Sequence, residues 1–544
     1  MAIPSYTTDL TTVNILDTTT PAVVEPTGAI AGGNPAVETD HYVVGIACIS
    51  KTFNATGTGG IGYLAATEQT VPTDGAIYQW HYWAAPNSIE IQTNGGMQLI
   101  VGNSAANYKK YYIYGRDTVV YGGWKCFAVN PSITPNANQG TPTAVNQFFG
   151  VVANNATSVQ RGFPLAFDAT RVGRGSLIIT NGSEIDGFAT FTGAAEVNDT
   201  NDVVNTIYNR WGIFSFNNGT YELQGRISFG TAGTPVDFQD QNKNIVIQNT
   251  EYVTPDFNKF EVLNASSRVS LTSISVSSLS TVSKGRFDVT DNANVSLNTC
   301  SFTGLGTFAF QSNTTVVSTT FRRCDTVTQG NSSITFSTFD RATGTTALLL
   351  SEPSEFFKLS DNEFNSSGTG HAITVNGTAS NATLESLVFE NYATVDGSTG
   401  NEAIFVNIAS GSITLNISGE GNTPSIRTAG ATVTVVNAKT FTVTNIIANS
   451  EIRILRQSDL VELAGAEIVS DTPLGENNGV VSADPDNPER FRFTYSYGYT
   501  VDTPIFVVVH ALGFQWIRPS AVLRSENGSL QVSQTVDRQY NNPA

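Results

Sequence analysis

Five times in the middle of the chain an aliphatic residue is followed, five positions later, by a phenylalanine. The pairs are Leu297 with Phe302, Val316 with Phe321, Ile334 with Phe339, Leu359 with Phe364, and Leu384 with Phe389. The phenylalanines lie 19, 18, 25 and 25 residues apart, and Ser, Thr, Asn and Gly fill the intervals with few charges. Self-similarity at this period is the mark of a repeat architecture, in which each unit buries its apolar face on its neighbour. Alternation inside each copy is strand-like. Two positions five apart cannot share a face at period two, so a bend or bulge must fall between them. A short strand, a corner, a second short strand and a variable loop make one coil of a parallel β-helix. Leu271–Val276 and Phe287–Val289 fit earlier coils; Ile413–Ile417, Thr432–Val436 and Phe441–Ile446 fit later ones. Roughly nine coils at about 4.8 Å per rung predict a rod of about 40 Å.

The same patterning divides the rest of the chain. Residues 1–40 read as an extended arm. They are rich in Thr, Pro, Ala and Gly, hold no Lys or Arg, and carry breakers at Thr18-Thr-Thr-Pro21 and Gly32-Gly-Asn-Pro35. Such a segment cannot bury a core by itself, so it is either disordered or laid along a partner. Residues 41–180 read as a β-sandwich or jelly-roll-like domain, with candidate strands at Tyr42–Ile46, Ser88–Gln92, Gln98–Val101, Tyr111–Tyr114, Trp124–Val129 and Leu177–Thr180. Its aromatic stripes read as core. Trp80-His81-Tyr82-Trp83 puts aromatics on both faces of one strand, which predicts an outward-facing set suited to sugar or protein contact.

Residues 181–255 read as a transition and a cap, with Asp202–Tyr208 as a candidate capping helix and Ile213–Phe216, Tyr221–Phe229 and Asn244–Gln248 as strands. A cap is needed because an open coil exposes strand edges and an apolar cross-section. Residues 256–448 are the β-helix proper. Residues 449–544 read as a small C-terminal β-sandwich with a polar tail. Its strands are Glu451–Leu455, Ala466–Val469, Phe491–Tyr497 and Ile505–Val509, with a turn at Asp484-Pro485-Asp486-Asn487-Pro488.

Composition supports an all-β reading. Hydrophobic residues make up 40% of 544 and charged residues only 14%, well below the roughly 25% of ordinary domains. Ser, Thr and Asn compete for backbone hydrogen bonds and serve helices poorly. The formal charge of −18 opposes nucleic acid and anionic membranes, so neither is expected as a partner. No apolar run approaches 18 residues, which excludes an inserted helix. The start, Met1-Ala-Ile-Pro-Ser-Tyr, has neither a basic n-region nor an apolar h-region, so synthesis in a cytoplasm is expected. Sequons such as Asn54-Ala-Thr, Asn218-Gly-Thr and Asn376-Gly-Thr are discounted accordingly. The four cysteines, Cys48, Cys126, Cys300 and Cys324, show no CxxC spacing. Buried free thiols are their expected state, although Cys300 and Cys324 sit in neighbouring coils and could approach each other.

No catalytic signature is present: no GxSxG, HExxH, P-loop or dinucleotide fingerprint. His41, His81, His371 and His510 are scattered over different segments, and no acidic run matches a calcium loop. Catalytic, cofactor and metal residues are therefore all expected to be none, and the chain is expected not to be an enzyme. The class weighed against this is polysaccharide cleavage, which uses two carboxyl groups about 5–9.5 Å apart. Asp340, Asp361, Glu363, Glu385 and Glu390 are its candidates, paired across coils as Asp340 with Asp361, or Glu363 with Glu385.

The Leu/Val/Ile-x4-Phe copies, Arg427-Thr-Ala-Gly-Ala-Thr-Val-Thr-Val-Val-Asn437 and Phe441-Thr-Val-Thr resemble large virion-associated proteins of tailed bacteriophages that carry a right-handed β-helix. Tyr121-Gly-Gly-Trp-Lys-Cys-Phe-Ala-Val-Asn130-Pro, Gly162-Phe-Pro-Leu-Ala-Phe-Asp168 and Arg171-Val-Gly-Arg-Gly175 are similar to N-terminal parts of such proteins. The likeness covers residues 110–450 and the tail. It implies a structural component of the particle exterior: a capsid decoration or head fibre, or else a tail fibre or spike that binds host surface glycan. It implies other virion proteins as partners, attachment through the N-terminal region and, by analogy with fibrous β-helix proteins, a homotrimer. It transfers no catalytic residue.

Overall fold

A computed structural model describes residues 5–15, 23–39, 41–43, 47–53, 56–83, 88–118, 123–155, 163–181, 188, 198–199, 206–208, 211–217, 219–249, 251–394, 396–397, 400–418, 421–437, 439–468, 474–476, 479–497, 503–524 and 527–538. The chain is all-β. It divides into two compact units, Met1–Ser332 and Ser333–Ala544.

The first unit opens with two antiparallel sheets. One runs Ala137–Gln139, Asn107–Tyr114, Met97–Ser104, Phe148–Asn155, Gly57–Leu64, Val23–Val24. The other runs Gly123–Val129, Ala76–Trp83, Phe163–Gly173, Cys48–Phe53, Ala36–Glu38, with Thr11–Ile15 also on Phe163–Gly173. Their facing residues form a shared core: Ile49, Phe53, Trp83, Leu165 and Phe167 meet Ile61, Met97, Tyr114 and Val151. Four of the six expected strands lie within these sheets and the one that follows them; of Tyr42–Ile46 only Tyr42 is in a strand, with 44–46 outside the described residues, and Ser88–Gln92 is not a strand. Ile89 makes only an isolated bridge, and a 3-10 turn begins at Gln92.

The arm is extended, and the surface it lies along is the chain's own. Ser5–Thr8 pairs with Ser176–Asn181, Thr11–Ile15 with Phe163–Gly173, Val23–Val24 with Gly57–Leu64, and Ala36–Glu38 with Cys48–Phe53. Its few apolar residues suffice because each short strand borrows a finished sheet edge.

Three parallel ladders follow. In the first unit, one ladder holds Ser176–Asn181, Arg226–Phe229, Lys259–Val262, Arg286–Val289, Phe308–Ala309 and Val327–Thr328. A second holds Thr220–Leu223, Asn244–Ile247, Ser275–Ser278, Ser301–Thr303 and Thr320–Arg322. The third holds Asp237–Gln241, Arg268–Thr272, Asn294–Asn298 and Thr314–Val317. Successive strands visit the ladders in rotation. Parallel pairing thus starts well before residue 256.

The second unit has the same three-way rotation. Thr346–Leu350, His371–Val375, Ile404–Val406 and Ile426–Thr428 form one ladder. Thr338–Asp340, Glu363–Asn365 and Val388–Glu390 form another. Ser333–Thr335, Leu359–Ser360, Ala382–Glu385, Ser412–Ser418 and Thr432–Asn437 form the third.

The five-residue spacing now has a physical cause. The aliphatic residue ends one strand, the phenylalanine begins to face inward on the next, and a left-handed residue turns the corner between them. That residue is Thr299 or Ser318 in the first unit, and Phe336, Asp361 or Ser386 in the second, each with φ between 50° and 54°. Left-handed backbone costs a non-glycine residue about 1–2 kcal/mol. Hydrogen bonds along the stack offset this: Thr299 N–H donates to the Val317 carbonyl at 2.9 Å, and Asp361 N–H to that of Glu385 at 3.2 Å. Register then stacks like on like: Leu271 on Leu297 on Val316, and Phe302 on Phe321. In the second unit Phe339, Phe364 and Phe389 stack with centroids 4.8 and 5.5 Å apart. The 25-residue interval from Phe339 to Phe364 absorbs a 3-10 turn, Pro353–Lys358, whose Phe356 is buried.

Two expectations change at the ends of the ladders. Thr206–Tyr208 is a strand, antiparallel to Phe214–Asn217, rather than part of a helix; residues 202–205 lie outside the described residues. Covering of the first ladder strands comes instead from the antiparallel sheet. Tyr78 hydroxyl donates to the Gln224 carbonyl at 2.8 Å, and Tyr78 packs on Phe257. The buried Gln224 donates to the Cys126 carbonyl and accepts from Ala128 N–H. Gly175 is required here, since its φ is +71° and a Cβ would collide with the Tyr78 hydroxyl.

In the second unit, Phe441–Ile446 does not join the three ladders. Lys439–Ile446 pairs antiparallel with Asn487–Tyr497 and parallel with Gly528–Gln531, in a four-stranded sheet completed by Gly479–Asp484. A five-stranded sheet of Leu474–Glu476, Glu462–Ile468, Ser450–Arg456, Thr503–Ala511 and Ser520–Leu523 shares its core, with Phe441, Val443, Ile452, Ile454, Phe493 and Val507 inside. The alternation of Phe441, Val443 and the later residues fits both arrangements; the pairing partner 50 residues downstream decides.

Candidate functional site

The candidate carboxylates do not assemble as paired. Asp340 stands in register with Asn365, not with Asp361, and Asn365 donates to its Oδ1 at 3.1 Å. Asp361 occupies the left-handed corner, exposed. Glu363 is in register with Thr338 and Val388, whereas Glu385 belongs to a different ladder, beside Ser360 and Ser418. Only Asp340 and Glu390 share a column, through Asn365, which puts their backbones two rungs or roughly 10 Å apart. The gap that hydrolysis would need for a water is filled by Asn365, which also accepts from Asn391 Nδ2 at 2.8 Å. The reason is geometric: equal spacing along the sequence aligns residues only when the loops between them are also equal, and the corner puts neighbouring positions on different faces.

The expected outward aromatic face on Trp80–Trp83 is overturned. Ala76–Trp83 is buried on both faces except at the half-buried Tyr82, which packs edge-on against Trp124. His81 and Trp83 face the antiparallel core, where His81 Nε2 lies 3.0 Å from the Tyr114 hydroxyl. Tyr78 and Trp80 face the other way and are also buried. Burial, with Lys125 a lesser contributor, lowers the His81 pKa from 6.5 to about 3.

The cysteines are four buried free thiols. Cys300 lies between Asn294–Asn298 and Ser301–Thr303, at the corner after Leu297; Cys324 lies between Thr320–Arg322 and Val327–Thr328. The intervening strand Thr320–Arg322 separates them. Burial raises the Cys300 pKa to about 11 and that of Cys324 to about 12, which leaves both unreactive near neutrality. His371 holds the Glu402 carbonyl through Nδ1 at 2.7 Å and packs on Phe405. Among the described residues no group of three His, Cys, Asp or Glu side chains could hold a metal ion, and no helix is long and apolar enough to cross a membrane.

One concave site lies where sequence reasoning placed none, on the outer face of the five-stranded C-terminal sheet. Register sets Glu451 between Glu467 and His510 on adjacent strands. Alternation turns Ile452, Ile454, Val507 and Val509 inward, so the polar row faces out. A cavity of about 250 Å³ opens where these strands end, lined by that row, by the buried Ser450, Ile468 and Ala511 of the next rung, and by Asn449 and Leu512; Trp516 lies beside it, against His510. The turn after Ala511 brings Ile517 back onto Val509 and sets Trp516 against His510, with centroids 5.1 Å apart. Trp516 is 68% and Leu512 73% exposed. The only sequence signal was an unexplained Trp516 next to a turn.

No protein-family model matches the chain, and no curated protein matches it.

Proposed function

We propose that this chain is a non-enzymatic structural protein of a tailed-bacteriophage particle, carried on the exterior as a capsid decoration or head fibre. The three-ladder repeats are read as coils of a right-handed parallel β-helix. A jelly-roll-like sandwich precedes them and a small sandwich follows. The observation that carries the reading is the division of labour in the repeats. Inward positions stack Leu, Val, Ile and Phe in register, while many outward positions are Ser, Thr and Asn in backbone and Asn–Asn bonds such as Asn407 to Asn376, and the first ladder adds surface ion pairs such as Lys259 with Asp288 and Arg286 with Asp256. Such a column is stiff, and its charges are tied up in surface ion pairs such as Lys284 with Asp325. The motif resemblance to virion proteins gives the same setting.

Attachment is assigned to the N-terminal two-sheet region as a whole, because strands of the arm complete that region's own sheets. The partners are other virion proteins and further copies of this chain, a trimer by analogy. The test is purification of particles by density gradient, with quantitation of this chain and immunogold labelling through a C-terminal tag. Fixed stoichiometry and exterior label are expected. Presence only in the soluble fraction refutes the reading.

A second reading, a tail fibre or spike that binds host polysaccharide, is favoured by one observation, the concave site beside Trp516. Cleavage finds no support in the carboxylate positions.

A further inference from the structure

We propose that the outer face of the C-terminal five-stranded sheet is a binding site for a neutral pyranose sugar, with Trp516 as the stacking platform and Glu451 and Glu467 as hydroxyl acceptors. The two-thirds exposed indole is the first reason. Apolar rings of this size are held out of a core where they meet a partner that is apolar on one side and polar at its edges. A pyranose ring has that character: its C–H face lies on an indole while its hydroxyls point outward. Leu512 extends the apolar strip.

The polar edge is in place beside it. Glu467, Glu451 and His510 stand side by side on three adjacent strands, about 4.8 Å apart. Hydroxyl-to-carboxylate bonds are charge-assisted and directional, so a fixed row of acceptors reads a ring of fixed hydroxyls. Glu451 is fixed by its ion pair with Arg453, which also bonds Glu462 at 3.3 Å. Pre-positioning of this kind lowers the cost of ordering side chains on binding.

The same groups exclude other ligands. Two carboxylates on a chain of net charge −18 oppose sulfated, sialylated or phosphorylated ligands. Arg453 offsets the charge of Glu451, which weakens the site for an amine. The cavity, about 250 Å³, is below the roughly 300 Å³ at which sites for larger ligands begin, so it fits one ring of a chain rather than a long segment. The inference goes beyond the particle-exterior reading and rests on it only for the source of the sugar, a host surface glycan.

The experiment uses the full-length protein with maltoheptaose, chitohexaose and a linear mannan oligosaccharide as probes. Tryptophan fluorescence reports on the site, because Trp80, Trp83 and Trp124 are buried, Trp211 is half-buried against Arg171, and Trp516 is the highly exposed indole, so the signal is taken as the difference from Trp516→Ala. At least one probe is expected to shift the emission and shield it from iodide, with little change in 0.5 M salt. Trp516→Ala should remove that signal and, by calorimetry, weaken binding about tenfold. Glu467→Gln, which keeps the indole, should weaken binding severalfold. Both side chains are exposed, so both variants should melt as wild type does.

Absence of binding by all three probes overturns the proposal. So does wild-type affinity in both variants, which would put the sugar elsewhere. Saturable binding of hexylamine in place of the sugars, lost in salt, would make the site a cation site and overturn it too. Particle association of Trp516→Ala separates the two readings: loss of sugar binding with normal stoichiometry leaves the structural role standing. A wild-type chain that binds sugar but never enters particles would refute that role alone.

Discussion

Phe364→Ala is the sharpest probe of the stacked interior. Phe364 is fully buried, with Phe339 on one side at 4.8 Å and 7° and Phe389 on the other at 5.5 Å and 15°. Removing a buried phenylalanine costs about 3–5 kcal/mol through lost transfer free energy and the cavity left behind. The upper part of that range is expected. Collapse would need Phe339 and Phe389 to close a gap of two rungs, and backbone bonds such as Glu363 N–H to the Ser337 carbonyl at 2.9 Å hold the rungs apart.

Phe357→Ala is the matched control, since Phe357 is in the same unit but 72% exposed, and its cost should stay within about 0.5 kcal/mol. A chain of this size need not unfold in one step, so global melting is a poor readout. Native-state hydrogen exchange by mass spectrometry over peptides spanning 359–390 reads the local opening directly. A loss near 4 kcal/mol corresponds to roughly a thousandfold faster exchange. Phe364→Leu, which keeps much of the volume, should cost about 1.5 kcal/mol or less. If Phe364→Ala exchanges no faster than Phe357→Ala, the stacked interior is wrong.

Other outcomes follow from single residues. His81 is held neutral, with its folded pKa near 3 against 6.5 unfolded, so the unfolded chain gains a proton first as pH falls. Stability should therefore drop between about pH 6.5 and 3, by up to about 1.4 kcal/mol per unit, and His81→Gln should flatten that dependence in denaturant titrations; an unchanged slope refutes the burial of a neutral imidazole. Phe336 carries a bulky side chain at φ 52° and is 61% exposed, so Phe336→Asn should stabilise by about 1 kcal/mol, and a loss on melting would count against the corner. All four thiols should resist iodoacetamide at pH 8 and react after denaturation, whereas an intact mass two hydrogens light would reveal a disulfide. Asp361→Asn and Glu363→Gln should leave particle association unchanged and host polysaccharide uncut in wild type and variants alike; chain shortening by the wild type would reinstate the carboxylates.

The five-residue spacing of Leu297 and Phe302 and its four copies was sufficient to place strands, corner and inward face, because period-two alternation interrupted at a constant offset has few geometric solutions. The abundance of Ser, Thr and Asn ruled out helices for the same local reason. Local pattern failed wherever the deciding partner was distant. Phe441–Ile446 alternates like a ladder strand but pairs with Phe491–Tyr497, and the second face of Ala76–Trp83 is covered at Tyr78 because Gln224 and Phe257 return onto it. The arm's strands found their edges on sheets of the same chain. The carboxylates were mispaired because loop lengths, not strand spacing, set which of them share a rung. Glu451, Glu467, His510 and Trp516 are spread over 66 positions with no motif among them; cross-strand register and one turn gather them. What the chain encodes locally is therefore strand, corner and facing. Which faces meet, and which are left open to a ligand, is fixed by long-range pairing, since that alone determines what surface remains uncovered.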